Sequence, residues 1–145
     1  MSTRADWFQL SFLRTGDDIA FLLLRLLTGA FLVHGVWDNI ESAARMQEFV
    51  GFLRSNGFAY PDIMAPLSVW AQFLCGLAFL LGAFTRWAGL VCAVNFVVAC
   101  VMVHWNQDLR GWWPAAVLVV IGLLMATHGA GRFSVDELLR RQLSK

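Results

Sequence analysis

Charge is scarce in this chain, and its cations form no long run. Of 145 residues 59% are hydrophobic and only 14% charged, with a mean hydropathy of +0.62. Lysine and arginine form no run resembling a phosphate-binding stripe, and the net charge is +1, so a nucleic-acid partner is not expected. Cysteine is equally sparse. Cys75, Cys92 and Cys100 include no Cys-x-x-Cys pair, which disfavours dithiol oxidoreductase chemistry and leaves small apolar packing residues or, less simply, reactive or metal-binding thiols. No small-residue cleavage site follows the first apolar stretch, and residues 1–18 carry Asp6, Asp17 and Asp18 beside Arg4 and Arg14. That stretch is therefore expected to stay in the mature protein. The length leaves room for one domain, residues 1–145, and no separate soluble one.

What the chain does have is four uncharged or nearly uncharged stretches, at about 19–37, 66–84, 87–105 and 112–129. At 1.5 Å per residue each spans roughly 28 Å, the thickness of a hydrocarbon core. In lipid the backbone must satisfy its own hydrogen bonds, so each is a helix. The expected fold is an all-α membrane protein, a four-transmembrane-helix bundle.

Orientation follows from the connecting segments. With both termini inside, Arg4, Arg14, Arg86, Arg132, Arg140, Arg141 and Lys145 lie on the inner side, against Arg45, Arg54 and Arg110 outside. This excess predicts a multi-pass protein of the cell membrane, a bacterial inner membrane, with both termini cytoplasmic. Trp37, Tyr60, Trp70, Trp105, Trp112 and Trp113 would mark the outer boundary, and Trp7 and Trp87 the inner one.

The longest connection, residues 38–65, has its own pattern. Ile40, Ala43, Ala44, Met46, Phe49, Val50 and Leu53 recur at helical spacing, with Glu41, Arg45 and Glu48 on another face and Asn56-Gly57 as a stop. The reading is an amphipathic lid helix on the outer surface, after which Pro66 opens the second span. At the other end Ser134-Val135-Asp136-Glu137 has capping-box spacing, predicting a short C-terminal surface helix whose Arg140 and Arg141 meet lipid headgroups. Ala71, Cys75, Ala78 and Gly82, with Ala88, Gly89, Cys92, Ala93, Ala99 and Cys100, supply small faces for tight packing. Membrane lipid is the one certain partner; a second copy of the chain and a redox partner protein are open.

Polar residues within the spans are the functional candidates, because each is costly at depth. Arg25 either snorkels to the inner interface or points into the bundle toward His128, Thr127 or Thr85, or toward a ligand. Gln72 and Asn95 suit hydrogen bonds between helices. One pattern repeats: His34 and Asp38 end the first span as His104 and Asp108 end the third, each pair four residues apart. On helices both pairs would share a face and a depth. They read as a proton or quinol site, as metal ligands, or as helix-end residues with no such role; no metal is assigned.

Several strings, taken in order, resemble one family. They are Arg25-Leu26-Leu27-Thr28-Gly29 with Phe31 and His34-Gly35, Asn56-Gly57-Phe58 with Pro61, Leu81-Gly82-Ala83-Phe84-Thr85-Arg86, and Gly129-Ala130-Gly131-Arg132-Phe133-Ser134-Val135-Asp136. Over residues 20–140 the chain resembles the DoxX family of four-helix membrane proteins. The family is named for likeness to the membrane subunit of a thiosulfate:quinone oxidoreductase, and it is more distantly related to MauE-type maturation proteins. The chain departs from the family in carrying Gln72 where many members have Glu, and Val36-Trp37-Asp38-Asn39 where many have a Lys shortly after the His-Gly pair. The resemblance implies a quinone-linked redox subunit, with quinone as the implied cofactor. The alternative is a noncatalytic membrane scaffold or assembly factor.

Overall fold

The computed structural model describes Leu10 and residues 16–144. Arg4, Arg14 and Lys145 of the charge count, and Trp7 of the aromatic belt, lie outside the described residues. Among those described there are six helices and no strand: α1 Asp17–Glu41, α2 Ala43–Ser55, α3 Pro61–Leu81, α4 Thr85–Met102, α5 Leu109–His128 and α6 Val135–Leu143. Four of them, α1, α3, α4 and α5, are long and apolar enough to cross a membrane. The all-helical bundle expected from the hydropathy is the fold found.

The helices pack as two close antiparallel pairs, α1 with α3 and α4 with α5, joined through α3 and α4. Each pair closes on glycine. A Cβ on Gly29 would stand 2.8 Å from the Gly76 carbonyl oxygen, and one on Gly76 would stand 2.9 Å from that of Gly29. Gly89 and Gly122 repeat this in the second pair, at 2.5 and 2.8 Å. Lipid offers no hydrophobic force between helices, so backbone approach of this kind is what holds them. Between the pairs lies a core of Leu32, Cys75, Phe79, Ala88, Cys92, Leu118 and Met125. The three thiols are buried, and Cys75 Sγ donates to the Ala88 carbonyl at 3.2 Å, consistent with their expected packing role.

Several boundaries differ from the sequence reading. The first span runs on through Glu41, so Ile40 belongs to it and the lid helix begins at Ala43. Ser42 makes the corner: its N–H closes α1 on the Asp38 carbonyl at 3.1 Å, and its Oγ accepts from Arg45 N at 3.4 Å to open α2. The lid stops at Asn56-Gly57 as expected, Gly57 having φ +75°. Its Val50 and Leu53 bury against Ala65 at the start of α3. That helix starts at Pro61, not Pro66, which lies inside it. Pro61 supplies the first-turn position for which a missing donor costs nothing.

The third span ends earlier than expected, at Met102, and the chain then turns through His104 and Gln107. Asp108 is the N-cap of α5 and accepts from Gly111 N at 3.0 Å. His104 and Asp108 are therefore not on one helix face. A carboxylate gains more by capping a new helix than by extending an old one, and the old helix has already ended before His104.

Candidate functional site

Two places bring polar side chains together, one at the end of the bundle that bears α6 (the tail end) and one within the bilayer span. At the tail end the strings that carry the family resemblance converge. Arg25, 2% exposed, donates from its terminal nitrogens to the carbonyls of Ala130 and, at 2.7 Å, Phe133. It neither snorkels nor reaches His128, Thr127 or Thr85; it ties the tail to α1. Gly82 lies directly against it, since a Cβ there would come within 2.7 Å of the guanidinium and 2.6 Å of Ser134 Cβ. With φ +66° Gly82 also ends α3 in the left-handed region.

Asp136 completes the clasp. Its carboxylate accepts from Phe84 N at 2.8 Å and Thr85 N at 3.0 Å, capping α4, whose N-cap Phe84 has no side-chain cap of its own. Its own N–H donates to the Gly82 carbonyl at 2.9 Å. Arg86 does the converse for α5, donating to the last carbonyls, Ala126 at 2.9 Å and Thr127 at 2.7 Å. Each charge thus meets a helix terminus of opposite polarity.

The C-terminal helix forms as the capping-box spacing predicts. Ser134 Oγ accepts from Glu137 N at 3.2 Å and donates to the Gly131 carbonyl at 2.7 Å. Glu137 does not reach back to close the box; it bridges Arg140 at 2.8 Å and Arg141 at 2.8 Å. Those two guanidiniums hold its carboxyl far below the usual carboxylate range, at about 2. The headgroup cations of the sequence reading are thus partly engaged within the chain.

Within the bilayer, Ser68 on α3 donates to Asn95 Oδ1 on α4 at 2.8 Å, and Gln72 Nε2 donates to Ser68 Oγ at 3.2 Å. All three are half-buried. Asn95 bonds between helices as the sequence predicts, with Ser68, which the sequence reading missed, whereas the Gln72 bond to Ser68 stays within α3. The spacing of four between Ser68 and Gln72 was the available signal. The triad leaves the Asn95 amide nitrogen and the Gln72 carbonyl oxygen free of partners among the described residues, each able to serve a ligand.

The four lid-end candidates each have their own surroundings. His34 and Asp38 are both exposed on α1, Asp38 lying 3.8 Å from Arg45. His104 Nδ1 is 2.8 Å from Gln107 Oε1, and Asp108 is the α5 cap. No hydrogen bond or ion pair among the described residues joins these four to each other. His128, at the tail end, is exposed with its ring 4.2 Å from that of Phe21. Among the described residues no three His, Cys, Asp or Glu side chains gather where they could share a metal ion.

A family model described as DoxX matches residues 20–105. The chain is also similar to the inner membrane protein YqjF of Escherichia coli (strain K12), 27% identical over 130 residues that cover 87% of this chain and 96% of that protein. No solved structure matches the chain. The family match stops short of the tail, yet Arg25, Gly82 and Thr85 inside it are the residues that the tail's Ala130, Ser134 and Asp136 contact.

Proposed function

The chain belongs to the DoxX family of membrane proteins, and on that premise we propose that it is a quinone-linked redox subunit of a membrane oxidoreductase system. The observation that carries this reading is the triad of Gln72, Ser68 and Asn95. An unsatisfied amide is expensive in hydrocarbon and tends to mark a ligand or a pathway. The free Asn95 N–H groups suit a quinone carbonyl, and the free Gln72 oxygen suits a quinol hydroxyl. Around them the bundle is apolar, as an isoprenoid ligand needs. Bound there, a quinone would exchange two electrons and two protons with a partner protein, while the chain holds and orients the headgroup. The helix-end histidines are a poorer choice, because His104 is engaged with Gln107.

A second reading, a noncatalytic scaffold or assembly factor, is favoured by the clasp: Arg25, Arg86 and Asp136 all spend their charge on backbone. Quinone content decides between them. The protein purified in mild detergent should carry quinone above the level of co-extracted lipid. Asn95→Leu should lose it, and His34→Ala should keep it. Wild-type protein with no quinone above background would overturn the redox reading in favour of the scaffold.

A further inference from the structure

The tail end carries a cleft of about 650 Å³ formed by α1, α3 and the tail with α6. One side is apolar, built by Leu22 and Leu26 of α1 and Leu80 of α3. Three cations line the cleft, Arg25 from α1 and Arg132 and Arg141 from the tail and α6, the last two beside Phe133, Val135 and Leu138, and no carboxylate does. Their charges are only partly countered. Arg132 has Asp18 at 3.8 Å, Arg141 shares the single carboxylate of Glu137 with Arg140, and Asp136 is spent on the N–H groups of Phe84 and Thr85. Arg25 gives its terminal nitrogens to carbonyls, which leaves Nε a buried donor without a partner.

We propose that this cleft is a binding site for one anionic phospholipid, its phosphate held by Arg132 and Arg141 and an acyl chain lying along Leu22, Leu26 and Leu80. Depth supports it, because Leu22 and Leu26 lie in the second and third turns of α1 and Leu80 in the last turn of α3, near where a spanning helix leaves the hydrocarbon for the headgroup layer. The neighbours on α1 support it too: Leu23 and Leu27 are 54% and 71% exposed, so the cleft opens on the surface that faces lipid. A free phosphate would use the guanidiniums but gain nothing from the leucine wall. A basic pocket between membrane helices is the general form of an anionic-headgroup site. The inference does not depend on the quinone reading.

The test is native mass spectrometry of the full-length protein titrated with phosphatidylglycerol, with phosphatidylcholine, and with phosphatidylglycerol against inorganic phosphate. Wild type should retain phosphatidylglycerol in preference to phosphatidylcholine, without competition from millimolar phosphate. Retention should weaken by about fivefold in Arg132→Gln or Arg141→Gln and by more than tenfold in the double variant, roughly what one surface cation is worth to an anionic lipid. Arg110→Gln, which removes a charge at the opposite end, should change nothing. Leu22→Trp, which narrows the apolar wall at constant charge, should also weaken retention and keeps the test open if the double variant folds poorly. Equal retention of the two lipids, wild-type retention in both the arginine and tryptophan variants, or full displacement by phosphate would overturn the proposal.

Discussion

Asp136 and Thr85 are 51 residues apart in sequence, yet the Asp136 carboxylate accepts the Thr85 N–H at 3.0 Å. The same carboxylate takes the Phe84 N–H at 2.8 Å. One side chain from the tail thus caps the third membrane helix, which has no cap from its own sequence.

Removing that cap should cost what helix caps usually cost. Asp136→Ala is expected to destabilise the protein by about 1–2 kcal/mol, and Asp136→Asn by less, since an amide oxygen still accepts. Thermal unfolding in detergent, compared with wild type, measures this. An unchanged melting temperature for Asp136→Ala would remove the cap from the account.

Arg25 is a fork across two carbonyls, and a fork is not replaced by a point charge. Arg25→Lys is expected to lose roughly 1.5–3 kcal/mol, the range for hydrogen bonds to charged groups, and Arg25→Leu more, because both carbonyls then lose their donor. Protease sensitivity of the segment from Gly129 to Ser134 should rise in the same order. A lysine variant as stable and as protected as wild type would instead fit a snorkelling anchor.

The glycine pairs set how closely the helices approach. Gly89→Ala puts a Cβ 2.5 Å from the Gly122 carbonyl, a distance real Cβ atoms do not tolerate, so the α4–α5 pair must part. The expected cost is that of overpacking, roughly 1–3 kcal/mol. Gly51→Ala, in α2 with nothing within 4 Å of the new methyl, should be neutral or stabilising by up to about 1 kcal/mol. If the two substitutions behave alike in thermal unfolding, the close approach is not what holds the pair.

His34 and His104 should behave as independent residues. His104 is tied to Gln107 and the helix that would have aligned it with Asp108 ends at Met102. His34→Ala should leave ligand occupancy unchanged, and any effect of His104→Ala should be the same with and without it. A double effect clearly smaller than the sum would restore a shared site.

Both termini are expected in the cytoplasm, from the asymmetry of Arg and Lys between the connecting segments. Tags at Met1 and Lys145 should resist protease added outside the membrane, and one inserted beside Asn56 should be cut. Cleavage at one terminus and protection of the other would overturn this orientation.

The sequence alone determined the class, the number of spans and the two surface helices, because hydropathy over a bilayer's thickness and capping spacing are local properties. Ser134 before Glu137 capped a helix wherever the tail lay, and Asn56-Gly57 stopped the lid regardless of what it covered. Tertiary structure decided which polar residues meet. The spacing of His104 and Asp108 implied a shared helix face, but Asp108 instead caps the next helix, a competition that spacing cannot rank. Arg25 offered several destinations within reach, and only the path of the tail made the Ala130 and Phe133 carbonyls its partners. Gly29 with Gly76, and Gly89 with Gly122, became contacts because antiparallel pairing brought distant positions to one depth. A pairing between distant segments depends on the register of whole helices, which is a property of the packed bundle and not of any window of residues.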